Sequence, residues 1–335
     1  MTANSQKKDF DLITVGDSTI DTFVKIHDAS VECDINHEAC RISLMYGEKI
    51  PVDSLARSAA GNALNVATAA TRLGIKTAIY TNLGGDSEGE LIKKTLQGVG
   101  VFADYIVSDP KKNSNTSVII SFQGERTALV YHQPWSYSLP DLSGAKWVYF
   151  TSIAASFTES NIVDEVAHYI DTNGAKLAFA PGTFQLKAKV KKYPKILERT
   201  ELLCCNLEEA KKILEISVEK KVDVHDLLSG LLLLGPKKIL MTDGAQGSYF
   251  ADGNKVLRAG VIPTEVVEKT GAGDTFCAAF ISALILGQSV EEAMIWATVD
   301  SANVLKHLGP QNGQMTKDEL LRFRKAVSEM VAKVF

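Results

Sequence analysis

Short apolar runs rich in β-branched and aromatic residues alternate along the chain with longer segments whose apolar positions recur at helical spacing. The runs at 12–15, 77–81, 147–150, 177–180, 202–204 and 238–241 predict strands. Between them, 63–73, 89–98, 159–172, 207–214 and 224–234 predict helices, and three more follow at 273–286, 290–306 and 317–334. Such alternation is the mark of βαβ units around a parallel sheet, with right-handed crossovers that lay helices on both faces.

Two stretches break the alternation. Residues 23–51 and 115–131 show period-two patterning, as in Thr116-Ser117-Val118-Ile119-Ile120-Ser121-Phe122, and Arg126-Thr127-Ala128-Leu129-Val130-Tyr131 follows a turn at Gly124. They read as antiparallel strands projecting from the main sheet, either a lid made in two pieces or two ordinary edge hairpins. The division expected is one large α/β domain of residues 9–22, 52–114 and 132–335, with 23–51 and 115–131 as the lid. No internal repeat or low-complexity linker is present, and the basic cluster at 187–192 reads as a solvated face.

Composition narrows the class. In 335 residues, 45% hydrophobic and 23% charged is the balance of a globular protein and excludes wholesale disorder, a collagen-like fibre and a coiled coil. With Lys plus Arg at 36 and Asp plus Glu at 40, the net charge is −4, so no basic excess suits nucleic acid and any phosphate-bearing partner must be held by a local site. The five cysteines are odd in number and too few for a disulfide framework, which reads as reduced thiols in a cytoplasmic protein. Cys33 and Cys40 lack the partners of a zinc set and read as small half-buried side chains, while Cys204 and Cys205 look like the end of a buried strand. The polar start carries no secretory h-region. The most apolar run, 227–234, is broken by Ser229 and Gly230 and falls well short of the roughly 20 residues of a membrane span.

The strongest chemical signal is Thr270-Gly271-Ala272-Gly273-Asp274-Thr275-Phe276, after a strand-like Val266-Val267 and at the start of an apolar helix. Small residues there let backbone N–H groups converge at a helix N-terminus, where unpaired donors and the positive end of the dipole favour an anion. A carboxylate in that first turn could take a proton from an attacking hydroxyl, or simply favour the dipole as a cap. Ala60-Gly61-Asn62-Ala63-Leu64-Asn65 opens another helix, and its asparagines suit the hydroxyls of a polyol. Gly16-Asp17-Ser18-Thr19-Ile20-Asp21 follows the first strand, where open α/β sheets bind ligands. Asn206-Leu207-Glu208-Glu209 ends a later strand, and Met241-Thr242-Asp243-Gly244-Ala245-Gln246-Gly247 ends another in a turn suited to a phosphate.

In this order and spacing the segments resemble the PfkB (ribokinase-like) family of carbohydrate and nucleoside kinases, from Gly16 to about Gly313. The resemblance implies a three-layer α/β/α sandwich with a mainly parallel central sheet and a small β lid. It also implies transfer of the ATP γ-phosphoryl group to a primary hydroxyl, with ATP and Mg²⁺ as cofactors. By it, Asp21, Gly61, Asn62 and Asn65 bind the acceptor, and Asn82-Leu83-Gly84-Gly85-Asp86-Ser87-Glu88-Gly89 matches the family's G-x-D-x-x-G. Asn206, Thr242, Gly244, Gly247 and Thr298 border the nucleotide, Glu209 orders Mg²⁺ through water, and Asp274 is the base, with Gly271, Ala272 and Gly273 as anion hole. Glu268 and Thr270 fall at the family's monovalent-cation (K⁺) site, where an aspartate is common in place of Glu268, and Ala60 stands where a second glycine is usual.

The acceptor stays open at this point. A ribose or ribonucleoside is favoured, with a ketohexose or sugar phosphate as the alternative and a non-catalytic sugar- or nucleotide-binding regulator as the rival class. Tyr46, Phe122, Tyr131, His132 and Trp135 lie on or after the lid strands and either stack on a nucleobase or pack the lid. Arg57, Arg126 and Lys25 could meet a phosphate but read as surface charges. The expected partners are a small sugar or nucleoside and a second copy of the chain joined through the lid, with no nucleic acid and no membrane.

Overall fold

The computed structural model describes residues 9–34, 40–123 and 125–335; the polar first eight residues and the Gly124 turn lie outside the described residues. The chain opens with β1 (Phe10–Val15), β2 (Thr19–Ile26), β3 (Ser30–Cys33), β4 (Cys40–Ser43), β5 (Val52–Ala60), α1 (Asn62–Arg72), β6 (Thr77–Gly84) and α2 (Ser87–Val99). It continues through β7 (Ile106–Asp109), β8 (Asn115–Phe122), β9 (Glu125–Tyr131), β10 (Ala145–Phe150), α3 (Ile162–Asn173), β11 (Lys176–Phe179), α4 (Thr183–Lys187) and α5 (Pro194–Arg199). The second half holds β12 (Thr200–Asn206), α6 (Leu207–Leu214), α7 (Val224–Leu232), β13 (Ile239–Thr242), β14 (Ser248–Ala251), β15 (Val256–Ala259), α8 (Ala272–Ile285), α9 (Val290–Val304), α10 (Lys317–Ala326) and β16 (Lys333–Val334).

The main sheet runs β16-β15-β14-β13-β12-β11-β10-β1-β6-β7. Every pair from β13 to β7 is parallel, and β14 to β16 extend one edge antiparallel. The parallel strands are buried on both faces because each face carries helices. One face packs Ile13, Phe150 and Leu177 against Ile162 of α3, Ile196 of α5 and Ile213 of α6. The other packs Leu12, Tyr149 and Leu240 against Ala69 of α1, Phe280 of α8 and Trp296 of α9. The helices on both faces expected from the alternation, and the three-layer sandwich that the resemblance implies, are therefore present. Strand order reverses beside β1, and there the carboxyl ends of the strands open a crevice. No helix among the described residues is long and apolar enough to cross a membrane.

A second sheet, β5-β2-β8-β9, forms the lid. It starts at Thr19 and takes in Val52–Ala60, so its borders cut into the 9–22 and 52–114 stretches assigned above to the large domain. Continuous pairing of β2 with β5 draws in both segments, although the Ser and Ala of β5 give little alternation to read. β2 and β8 also pair parallel rather than antiparallel, a direction that period-two patterning cannot encode.

Three further expectations are corrected. Cys33 and Cys40, read as half-buried reduced thiols, are exposed and joined in a disulfide, because the β3–β4 register sets them directly opposite with Cα atoms 4.0 Å apart. The helix expected over 317–334 stops at Ala326, since the edge of β15 captures Lys333–Val334 as a strand. Val266-Val267 forms no strand; both residues are exposed in the irregular approach to α8.

Candidate active site

At the crevice the turn after β1 is held by burial and hydrogen bonds. Gly16 has no room for a Cβ, which would lie 2.9 Å from the Ser152 carbonyl oxygen. Asp17 is buried and accepts hydrogen bonds from the Tyr137 hydroxyl at 2.8 Å and the Ala154 amide at 2.9 Å. Burial raises its carboxyl above the usual range, against the pull of the neighbouring His132 and Tyr137. The chain then enters the lid strand β2 and puts Asp21 on the lid face that borders the cavity. Burial pushes the Asp21 carboxyl up to about 6, tempered by the Ser117 hydroxyl and the Arg126 charge.

Gly61 caps α1 with φ +100°, and a Cβ there would meet the Asp17 carbonyl oxygen at 2.6 Å. Only glycine lets the lid strand turn into the helix so close to the β1 turn. The first turn of α1 consequently faces α8. Asn62 Nδ2 donates to Asp274 Oδ1 at 3.0 Å, and Asn65 Nδ2 donates to Asp274 Oδ2 at 2.8 Å. The two asparagines, read from sequence as polyol contacts, hold the carboxylate more than 200 residues away. Asp274 itself lies in the first turn of α8, whose cap, Gly271, has φ +81° and offers no side chain to the helix amides. Burial pushes the Asp274 carboxyl up to about 7; the asparagine amides oppose this, and the Glu209 and Asp21 carboxylates add to it.

Asn206 and Glu209 close a reciprocal cap on α6: Glu209 N donates to Asn206 Oδ1 at 2.8 Å, and Asn206 N donates to Glu209 Oε2 at 2.9 Å. Burial raises the Glu209 carboxyl. Thr242 ends β13, and Gly247, at φ +97°, sits where a Cβ would lie 2.1 Å from the Ala259 carbonyl oxygen. Thr298 is buried on α9.

These groups line two adjoining cavities. The first, about 460 Å³, is bordered by Asp21, Gly61, Asn62, Asn65, Asn206, Glu209, Thr270, Gly271 and Asp274. The second, about 640 Å³ and mostly apolar, is bordered by Gly244, Gly247, Ala272, Phe276 and Thr298. Thr242, Lys269 and Gly273 border both, so the N-terminus of α8 stands at their junction. Glu268 is buried just outside, with Oε1 accepting from the Lys269 and Thr270 amides at 2.8 and 3.0 Å and from the Thr270 hydroxyl. Although burial alone would raise it, these bonds and the Arg126 charge hold its carboxyl below the usual range.

Three groups in or under the first cavity are absent from the site residues expected from sequence, although Arg126 is weighed there as a phosphate contact and His132 as a stacking or packing ring. Asp17 stood in view beside Asp21, but its Tyr137 partner is 120 residues distant. Arg126, read as a surface charge, borders the cavity and pairs with Glu268. His132 also borders it, its ring set edge-on to Phe184. Among the other lid aromatics, Trp135 is buried and donates to Asn115 Oδ1 at 3.2 Å, whereas Tyr46 is fully exposed. Arg57 pairs with Glu88 on α2.

A mainly parallel α/β body, a β lid and a carboxylate at a helix N-terminus between two cavities form the site, and the family to which the chain belongs makes it that of a phosphotransferase with an alcohol group as acceptor. The model of the pfkB family carbohydrate kinases matches residues 21–317, and the chain belongs to that family. The ribokinase of Bacillus subtilis (strain 168) is 29% identical over 282 residues, covering 82% of this chain and 90% of that protein. The ATP-dependent 6-phosphofructokinase of Thermoanaerobacterium thermosaccharolyticum is 24% identical over 321 residues, covering 90% of each. The structure of Arabidopsis thaliana ribokinase complexed with ribose and ATP superimposes with a TM-score of 0.77 at 23% identity, covering 94% of this chain and 99% of that one, so the ribokinase-like fold is shared.

Proposed function

We propose that the protein transfers the γ-phosphoryl group of ATP to a primary hydroxyl of a ribose-like sugar or ribonucleoside. The observation that carries this reading is Asp274, a carboxylate with its pKa near 7, held by Asn62 and Asn65 where a polar and an apolar cavity meet. A base with a pKa near the working pH is both ionised enough to accept a proton and basic enough to pull it. The acceptor lies in the polar cavity with a hydroxyl on Asp21 and its reacting hydroxyl on Asp274. The purine lies in the apolar cavity against Thr298, with Gly244 and Gly247 giving backbone access and Thr242 and Asn206 at the phosphates. As the hydroxyl attacks in line, Asp274 takes its proton and the amides of Gly271, Ala272 and Gly273 meet the charge on the transferring oxygens.

Among the described residues no group of three or more acidic, His or Cys side chains is placed to hold a metal. Mg²⁺ is held through one or two carboxylates, water and substrate phosphates, and Glu209, on the border of the polar cavity, is the carboxylate offered here. When bound, Mg²⁺ neutralises charge on the phosphates. The residues do not fit a K⁺ ion at Glu268 Oε1, because four donors, one of them a guanidinium, already meet on that oxygen.

An uncharged acceptor is favoured over a sugar phosphate because Arg126, the lid cation at the cavity, is already engaged by Glu268. The relatives include both a ribokinase and a 6-phosphofructokinase, so similarity alone does not choose. A homodimer through the lid accords with the apolar outer face of that sheet, where Leu55, Val118 and Leu129 are exposed. The test is coupled ADP release with ribose, adenosine, cytidine, inosine, fructose and fructose 6-phosphate. Ribose or a nucleoside should be the best acceptor; release mainly with fructose 6-phosphate would reverse the acceptor assignment. No ADP with any of them, despite thermal shifts on binding, would identify a non-catalytic binding protein.

A further inference from the structure

Arg126 lies on β9, the outer strand of the lid, whose described residues are all exposed. Its guanidinium nevertheless reaches the body, with Nη1 donating to Glu268 Oε1 at 2.6 Å and to the Thr270 hydroxyl. Sheet register makes this reach possible. Asp21 pairs with Ser117 and Ser121 pairs with Arg126, so period two puts Asp21, Ser117 and Arg126 on one face of the lid, all three bordering the acceptor cavity. The other end of the tie is the segment Glu268–Thr270, which turns directly into Gly271 and the first turn of α8 with Asp274. One side-chain bridge thus joins the free edge of the lid to the loop that presents the helix terminus.

Exposed ion pairs ordinarily contribute little, because both charges stay hydrated. Here the carboxylate is buried, its side chain 5% exposed against 40% for the arginine. Without Arg126 the buried carboxylate would keep only the neutral donors of Lys269 and Thr270, and its desolvation would be less fully offset. The pair therefore favours the arrangement in which the lid lies over the cavity and the loop holds its present course.

We propose that Arg126 is a positioning residue for phosphoryl transfer, a latch that couples lid closure over the acceptor to the conformation of the loop leading into the α8 N-terminus. The proposal rests on the kinase reading above. Arg126 acts through Glu268 and Thr270, and it does not border the apolar nucleotide cavity. Loss of the latch admits water to the acceptor side and leaves nucleotide binding nearly unchanged.

The experiment compares wild type with R126M, R126K, E268Q and the R126M/E268Q double variant, using steady-state kinetics, acceptor-free ATP hydrolysis and amide hydrogen exchange. Removing a charge-assisted hydrogen bond predicts a fall of about 10- to 100-fold in acceptor kcat/KM for R126M, with the KM for ATP within about twofold. The ratio of hydrolysis to transfer should rise, R126K should recover much of the loss, and the double variant should be no worse than R126M. Exchange should quicken at both 125–131 and 267–271 in R126M. Unchanged acceptor kcat/KM, or strictly additive effects of R126M and E268Q, would overturn the latch; R126Q substitutes if R126M does not fold. The exchange comparison needs no turnover, so unchanged exchange in R126M overturns the latch even if wild type transfers to no acceptor, an outcome that by itself defeats the kinase reading.

Discussion

Replacing Asp274 by Asn keeps the side-chain shape and removes both the charge and the base. Asn62 and Asn65 each donate to one carboxylate oxygen, at 3.0 and 2.8 Å. An amide at position 274 can accept from one of them, while its own NH₂ meets the other donor, a loss of about 1 kcal/mol. Against this stands the cost of ionising Asp274. Its carboxyl lies near 7 rather than 3.8, a difference worth on the order of 4 kcal/mol. A folded-state pKa raised in this way penalises folding as pH rises: the penalty is absent below about 4, grows between 4 and 7, and is complete above 7. D274N should therefore melt a few degrees above wild type at pH 8, and the advantage should shrink toward pH 4. Turnover should move oppositely, with kcat falling about 10²- to 10⁴-fold as general-base catalysis is lost while ATP affinity stays near normal. Wild-type kcat/KM should itself fall below about pH 7 as Asp274 takes up a proton. Coupled ADP-release kinetics and melting curves from pH 4 to 8 make the comparison. Near-normal turnover in D274N would refute the base, and a pH-independent stability difference would refute the electrostatic reasoning.

Asp21→Asn should lower acceptor kcat/KM about 10- to 100-fold, the value of a charge-assisted hydrogen bond, with the KM for ATP within about twofold in the same assay. Gly271→Ala adds a Cβ at φ +81° and 2.5 Å from Pro310, so it should lower both the melting temperature and kcat, the left-handed backbone alone costing about 1–2 kcal/mol. Leu129→Lys puts a charge on the apolar outer face of the lid, and sedimentation should show a dimer for wild type and a monomer for the variant. Alkylation of the denatured protein without reductant should label three cysteines, and after reduction all five, because Cys33–Cys40 is the disulfide; equal labelling would contradict the pairing.

Much of the body was legible because its signals are local. Helical and strand periods marked most of the parallel strands and the large helices, and the glycine-rich entry to α8 placed Asp274 on a helix terminus before any contact was known. The boundaries of the lid were less so: Ser and Ala in β5 carry no pattern, and its place is set by pairing with β2. The end of α10 was misjudged since edge pairing to β15, rather than helical period, governs Lys333–Val334. The disulfide eluded cysteine counting because it depends on two residues facing across a hairpin, a matter of register.

By itself the sequence determined the layered α/β architecture, the segments that meet at the crevice and the types of group available there, since period, capping and backbone freedom act over a few residues. Only the tertiary structure decided what those groups do to one another. Asn62 and Asn65 hold Asp274 across more than 200 residues, Tyr137 holds Asp17 across 120, and Arg126 crosses 142 to reach Glu268. Such distances are closed by sheet order and helix packing, and the burial that results lifts Asp274 to a pKa near 7, a property carried by no segment of the chain in isolation.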